Sequence, residues 1–422
     1  MSASTTTPRH APDARQLLNK VPEVTVWFWV IKILCTTVGE SFADWINMQL
    51  GVGLVNTAWI FTAVFAATLT WQLRTKRYVP FVYWLNVVVV SVTGTLYTDI
   101  LTDQKGVPLW ISSTIFSAVL AVVFGIWYSR ERTLSIHSIV TFPREAFYWL
   151  AVLVTFALGT ATGDWTLELT GWGPGKAVLL PLALIAIVSV LWRFGMNAVL
   201  SFWVAYILTR PLGANIGDFL GSPHKDHGLG LGTFVTSILF LGAILATVIF
   251  LTVTKSDVIE TYDATHTPVV TTNLRRERLA GAVLALVAMG TGGLLTWANN
   301  QPHVSALDDA PAPTCKTGKP LNATQAKTQV AQFPSAKVAG YRKIATDSLA
   351  LVKSGDQSGA KTRIKDLETA WDADQAALQP KNCQAWTYVD QQIDPVLSSI
   401  RASKPNQVTE EHALNSLLTT LG

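Results

Sequence analysis

The fold class predicted is an all-α integral membrane protein. It comprises four parallel two-helix repeats (eight spans), a ninth transmembrane helix and a small extracytoplasmic helical bundle. Three observations carry this reading. Apolar residues make up 50% of the 422 and charged residues only 14%. The apolar residues gather between Val24 and Trp297 in blocks close to the ~20 residues a helix needs to cross ~30 Å of hydrocarbon. One motif recurs four times at identical internal spacing.

The elements follow in order. Residues 1–23 are polar, with no apolar h-region or small-residue cleavage site, and read as a cytoplasmic tail rather than a signal peptide. Apolar blocks at 24–46, 54–73, 80–101, 109–128, 147–168, 177–195, 198–220 and 232–253 make a four-repeat transmembrane domain over 24–255. A cytoplasmic loop over 256–278 leads to the ninth helix, 279–297. Basic residues set the orientation. Arg9, Arg15, Lys20, Arg74, Lys76, Arg77, Arg130, Arg132, Arg144, Arg193, Lys255, Arg275, Arg276 and Arg278 all fall on one side, against Lys105, Lys176 and Lys225 on the other. The positive-inside rule then puts the N-terminus in the cytoplasm and everything after the ninth helix outside, across a plasma membrane.

Residues 298–322 are a Pro-rich linker and 323–422 an extracytoplasmic helical domain. Apolar residues there recur at helical spacing (Ile364, Leu367, Trp371; Val389, Ile393, Leu397), which predicts four or five helices. Cys315 and Cys383 fall in this outside segment and read as a disulfide, whereas Cys35 lies in the first span. Asp366, Asp372, Asp374, Asp390 and Asp394 read as a solvated face, with weak metal binding as the alternative.

The repeat is the strongest signal. "FWVIKILCTTVGESFAD" (28–44), "YWLNVVVVSVTGTLYTD" (83–99), "YWLAVLVTFALGTATGD" (148–164) and "FWVAYILTRPLGANIGD" (202–218) share [FY]-W-x9-G-x4-D without gaps. This aligns Trp29, Trp84, Trp149 and Trp203; Gly39, Gly94, Gly159 and Gly213; and Asp44, Asp99, Asp164 and Asp218. Each unit is two spans long, so all four units point the same way and the four Asp lie at one depth. The aromatic-Trp pair marks the inner interface, as packing and belt residues. Asp follows about 22 Å further along the helix at 1.5 Å per residue, beyond the midplane. The glycines permit close helix approach. These residues, with "TTVGESFAD", "ALGTATGDW" and "PLGANIGDFLG", resemble a bacterial membrane family of unknown function. That family is defined by four tandem two-helix repeats, each with a characteristic Trp. The resemblance covers about residues 20–260 and implies the fold and the repeat number, but no settled activity.

Function must then come from the charges. Lys32, Glu40 and Asp44 lie on one helix with Thr36, each four residues apart, and Arg210 sits at the Thr36 position of the fourth unit. Ionisable groups at membrane depth face the bundle interior or a wet cavity and pair there. Four carboxylates at one level cannot all stay ionised unless cations neutralise them. A hard divalent cation such as manganese, or shared protons, would do so, with Asp44, Asp99, Asp164 and Asp218 as metal ligands. Glu40, Lys32 and Arg210 complete the transport or ion-binding set, the two bases acting as built-in counter-cations. The competing reading makes the four Asp hairpin-turn devices that accept hydrogen bonds from loop amides, and pairs Lys32 with Glu40 or Asp44 for structure alone. A membrane-anchored scaffold or sensor presenting the outside domain is the alternative function.

Other motifs are weaker. His224, Asp226 and His227 form a loop cluster that can ligate a transition metal. The Gly230/Gly232 run lacks the Lys-Ser/Thr of a P-loop, and Asn322 opens an N-x-Thr sequon. No nucleophile–base pair or HExxH is recognisable, so an enzyme is not expected, nor is a cofactor or a nucleic-acid partner. The expected partners are the lipid bilayer and a small cation or other small solute, with a homo-oligomer left open.

Overall fold

The computed structural model describes residues 20–46, 52–105, 107–222, 228–258, 274–301, 321–402 and 404–422. Arg9 and Arg15, the loop cluster His224, Lys225, Asp226 and His227, and Cys315 lie outside the described residues. Cys383 is disulfide-bonded and Cys35 is a buried free thiol.

The chain is an integral membrane protein, and its described residues are helical with no strand. The repeat region contains α1 (Val26–Asp44), α2 (Leu54–Arg74), α3 (Pro80–Asp99), α4 (Leu109–Glu131), α5 (Phe142–Thr170), the short α6 (Pro174–Ala177), α7 (Leu179–Arg193), α8 (Ala198–Gly221) and α9 (Thr233–Thr254). After it comes α10 (Leu274–Asn299), then α11 (Ala323–Val330), α12 (Ser335–Ser354), α13 (Gln357–Leu378), α14 (Cys383–Arg401) and α15 (Gln407–Leu421). Local chemistry sets the starts. Thr25 caps α1, Pro80 and Pro143 sit in the first turns of α3 and α5, and the Asn197 side chain accepts from the Val199 and Leu200 amides at 3.0 and 3.2 Å. Among the described residues, eight helical segments, with α6 and α7 counted as one, are long and apolar enough to cross a membrane. The predicted seventh span, α8, falls short in apolarity although it has 24 residues, because Arg210, Asn215 and Asp218 interrupt it.

The four repeats close into a ring. The first helix of each unit (α1, α3, α5, α8) is an inner stave, and each stave touches the next, with α8 returning to α1. The second helix of each unit lies outside, against the inner stave of the following unit: α2 on α3, α4 on α5, α7 on α8, and α9 back on α1. The motif glycines make this closure possible. A Cβ on Gly39 would lie 2.0 Å from Ser91 Oγ, one on Gly94 2.7 Å from Phe156 Cβ, one on Gly159 2.4 Å from Arg210 Cβ, and one on Gly213 1.8 Å from Thr36 Oγ1. Each partner is the residue three before the glycine of the next repeat, so one contact is made four times around the ring. Hydroxyl-to-carbonyl bonds lie beside these contacts: Thr37 to Gly213 at 2.9 Å and Thr98 to Ala157 at 3.0 Å. Small residues and interhelical hydrogen bonds hold helices together where lipid supplies no hydrophobic drive.

The motif aromatics repeat the cycle at the other end. Phe28 packs on Trp84, Tyr83 on Trp149, Tyr148 on Trp203 and Phe202 on Trp29, with centroids 5.6, 5.4, 6.3 and 5.7 Å apart. Trp84, Trp149 and Trp203 are buried, which corrects the belt part of their expected role: they close one end of the ring rather than face headgroups. Among the described residues, Trp27, Trp59, Trp71, Trp110, Trp192 and Trp297 are the exposed ones. The outer helices turn apolar residues such as Ile60, Val122 and Ile249 outward, as a lipid-facing surface requires. α10 touches only α5 and α7 among its substantial neighbours and is almost wholly exposed; its Gly290, Gly292 and Gly293 have open space around them.

α11 to α15 form a five-helix bundle around Trp371 and Trp386, stacked at 3.8 Å with planes 7° apart. Its acids are not simply a solvated face. Asp374 accepts from Tyr341 at 2.5 Å and from Lys337 at 2.8 Å, Asp390 accepts from Trp371 Nε1 at 2.8 Å, and Asp366 pairs with Arg363 at 2.7 Å. Asn322 is the N-cap of α11, in a capping box with Gln325, which accounts for that residue without a modification.

Candidate cation site at the acidic end of the ring

The Asp of each repeat comes five residues after the glycine that meets the neighbouring helix, so close packing delivers the carboxylates to one end. Oxygens of Glu40, Asp44 and Asp218 lie within 4.8 Å of one another. Asp99 and Asp164 complete the layer. They interact electrostatically with each other, with Glu40 and with Asp44. The structure thus gathers all four motif Asp and Glu40. It adds one residue that sequence reading missed, Asp103, which also interacts with Asp99, Asp44 and Asp164. Asp103 sits on the π-helical turn Ile100–Gln104 that prolongs α3, where the Lys105 amide donates to the Ile100 carbonyl at 3.0 Å. Its position four residues after Asp99 was the available signal.

The five layer carboxylates are half-buried and Asp103 is exposed, so water reaches them. One described base counters them directly. Arg210 is fully buried, forms an ion pair with Glu40, and donates to Thr95. Its Nε and Nη1 have no hydrogen-bond partner. Pro211 follows it and lacks an N–H, so the Ile207 carbonyl loses its helical donor. That carbonyl lies 3.3 Å from where a Cβ on Gly159 would be, so the freed acceptor faces the bare edge of a glycine.

Lys32 does not join the layer. Its Nζ lies 4.0 Å from the centroids of both Phe156 and Tyr206, is 1% exposed as a residue, and makes no hydrogen bond. The expected Lys32 pairing with Glu40 or Asp44 is therefore corrected: Glu40 is taken by Arg210, 170 residues away in sequence. Asn86 and Asn197 serve structure, Asn86 by accepting from Thr68 at 2.8 Å and Asn197 as a helix cap.

Charge arithmetic then decides what the layer can do. Two carboxylates 4.8 Å apart repel by about 3–4 kcal/mol at an effective dielectric of about 20. Glu40, Asp44 and Asp218 contain three such pairs, and one guanidinium offsets about one. The surplus must be discharged by protons or by an added cation. Three oxygens within this span suit a hard divalent ion, whose oxygen ligands stand roughly 2.0–2.6 Å from the metal, with water filling the other positions.

No curated protein and no solved structure matches the chain. Four successive stretches, residues 27–78, 82–133, 147–195 and 201–257, each match the family described as Repeat of Unknown Function (DUF347). They coincide with the four units of the ring, and the chain belongs to this repeat family.

Proposed function

We propose that the ring is a transporter of a small cation, with a divalent metal such as manganese as the best-fitting cargo and Glu40, Asp44 and Asp218 as its first ligands. The carrying observation is the surplus of mutually facing, half-buried carboxylates, countered directly by Arg210 alone among the described residues. Asp99, Asp164 and Asp103 extend the acidic surface through which the ion enters. Arg210 competes with the bound ion for Glu40, which keeps binding reversible. The aromatic end carries Arg74, Arg130, Arg193 and Lys255, and the acidic end Lys105 and Lys176. This asymmetry favours a bacterial inner-membrane orientation with the aromatic end cytoplasmic and the bundle outside.

The test is uptake and efflux of manganese in liposomes containing the purified protein, compared with Asp44→Asn and Asp164→Asn. Wild type should move the ion and both variants should lose at least tenfold in rate while remaining folded. Equal rates in all three would refute the reading. A sensor role has one observation in its favour: α13 touches the π-helical turn at the acidic end, and Glu368 and Lys365 act electrostatically on Asp103. Deleting 303–422 separates the two, since transport requires only the ring.

A further inference from the structure

The cation site occupies one end of the ring. The interior between it and the aromatic end holds a second set of polar groups that cation binding does not use. Lys32 stands over Phe156 and Tyr206 with no hydrogen-bond partner. The Tyr206 hydroxyl is also buried and makes no hydrogen bond, yet it interacts electrostatically with the Tyr148 hydroxyl. Tyr148 and Tyr83 join hydroxyl to hydroxyl at 2.5 Å. The Tyr78 ring lies 5.7 Å from the Tyr83 ring, and the Tyr78 hydroxyl donates to Asp257 at 2.5 Å while accepting from Trp84 Nε1 at 3.1 Å. Asp257 follows α9 in the loop at the aromatic end. Four phenols therefore line up between a buried ammonium and a buried carboxylate at the aromatic end.

The placement is specific to this chain's repeats. Tyr83 and Tyr148 occupy the first motif position, where the first and fourth units have Phe28 and Phe202. Tyr206 occupies the Lys32 position of the fourth unit. At these two repeat positions the phenols thus lie on the adjacent staves α3, α5 and α8. A phenol both donates and accepts, so a file of them passes a proton without any group crossing the ring.

We propose that Lys32 and the Tyr206–Tyr148–Tyr83–Tyr78–Asp257 file form a proton path through the ring, exchanging a proton for the cation bound at the acidic layer. The path rests on the cation-transport reading of that layer. In each passage the Lys32 ammonium gives one proton to the Tyr206 oxygen, and Tyr206 releases its own phenolic proton to Tyr148. The same relay through Tyr83 and Tyr78 ends with protonation of the Asp257 carboxylate. One N–H bond breaks at Lys32 and one O–H bond forms at Asp257, with every tyrosine restored. Three links, Lys32 to Tyr206, Tyr206 to Tyr148 and Tyr83 to Tyr78, have no direct hydrogen bond and pass the proton through an inserted water. Among the described residues, the charged and titratable groups acting on Lys32 are Cys35 on its own helix and Arg210 on α8, with Tyr206 beneath it and the Phe156 ring presented by α5. The ammonium therefore has cation–π contacts but no carboxylate to hold its proton.

The experiment uses the full chain in liposomes loaded with a pH-sensitive dye, driven by a manganese gradient, with manganese binding measured separately in nanodiscs. Tyr83→Phe and Tyr148→Phe should each slow the manganese-driven pH change at least tenfold while binding stays within about twofold of wild type. Lys32→Met should abolish the pH change. Wild type that binds manganese but moves no protons, or Phe variants with unchanged proton flux, would overturn the path alone. Absence of manganese binding in wild type would instead overturn the acidic-layer reading, and the path with it.

Discussion

The ring and the C-terminal bundle both bring carboxylates into partly buried places, and they treat them oppositely. In the bundle Asp374 meets Tyr341 and Lys337, Asp390 meets Trp371, and Glu368 meets Arg401 through two hydrogen bonds. In the ring Asp44, Asp99, Asp164 and Asp218 chiefly face one another and Glu40. An arrangement selected for stability pairs its buried charges. The bundle's acids therefore hold a fold together, while the ring's acids are held in place by a fold built from other contacts. Those contacts are the glycines and aromatics, which lie on the same helices but not at the acidic layer.

The sharpest way to break this contrast is to remove the contact that positions the ring. Gly159→Val places atoms where Arg210 Cβ already sits, 2.4 Å from the new Cβ. Overpacking of this kind costs about 1–3 kcal/mol or more, and here it also displaces the Glu40 partner. Little monodisperse protein should survive size-exclusion chromatography. Gly292→Ala, on the open face of α10, should elute like wild type. Next comes the bundle. Trp371→Ala removes a side chain stacked on Trp386 and should cost about 3–5 kcal/mol locally. Hydrogen exchange over α13 and α14 should rise steeply while exchange over α3 and α5 stays unchanged.

Neutralising single acids should give opposite signs in the two regions. Asp374→Asn leaves the Tyr341 hydroxyl and Lys337 with a poorer acceptor and should destabilise the bundle by about 1–2 kcal/mol, read by the same exchange measurement. The smallest expected effect is a pH dependence. Burial pushes Asp390 up to about 6, with the Trp371 indole partly opposing it, and burial also raises Asp372. A carboxyl raised in the folded state binds more protons there than when unfolded. Its contribution is therefore fully present below the unfolded value and is lost as pH rises towards about 6. Protection of α14 amides should decline modestly between about pH 4 and 6 once intrinsic exchange is corrected, and Asp390→Asn should flatten the decline.

Much of this was legible in the sequence because the motif is written along single helices. Trp, Gly and Asp at fixed spacing locate the aromatic end, the close contact and the acidic layer of each stave. What was not legible lies between helices. The motif gives no partner for Gly39 or Gly159, so ring closure through α8 and α1 is set by how the staves cross. The Arg210–Glu40 pair joins the fourth unit to the first, and Lys32 finds its aromatic neighbours on α5 and α8, from units three and four. Asp103 was passed over because the π-turn that carries it interrupts the helical count after the motif ends. In the bundle, periodicity found the core residues Ile364, Leu367 and Trp371. It carried no information about Asp374, whose donors come from another helix.

The central claim, that the ring's carboxylates serve a cation rather than the fold, is tested most directly by thermal unfolding of wild type and the Asp44→Asn/Asp218→Asn double variant, with and without manganese. Manganese at about 100 times its dissociation constant should stabilise wild type by about 2.7 kcal/mol. The double variant should be at least as stable as metal-free wild type and should not respond to the metal. A double variant that melts lower than wild type, yet still gains stability from manganese, would contradict the account.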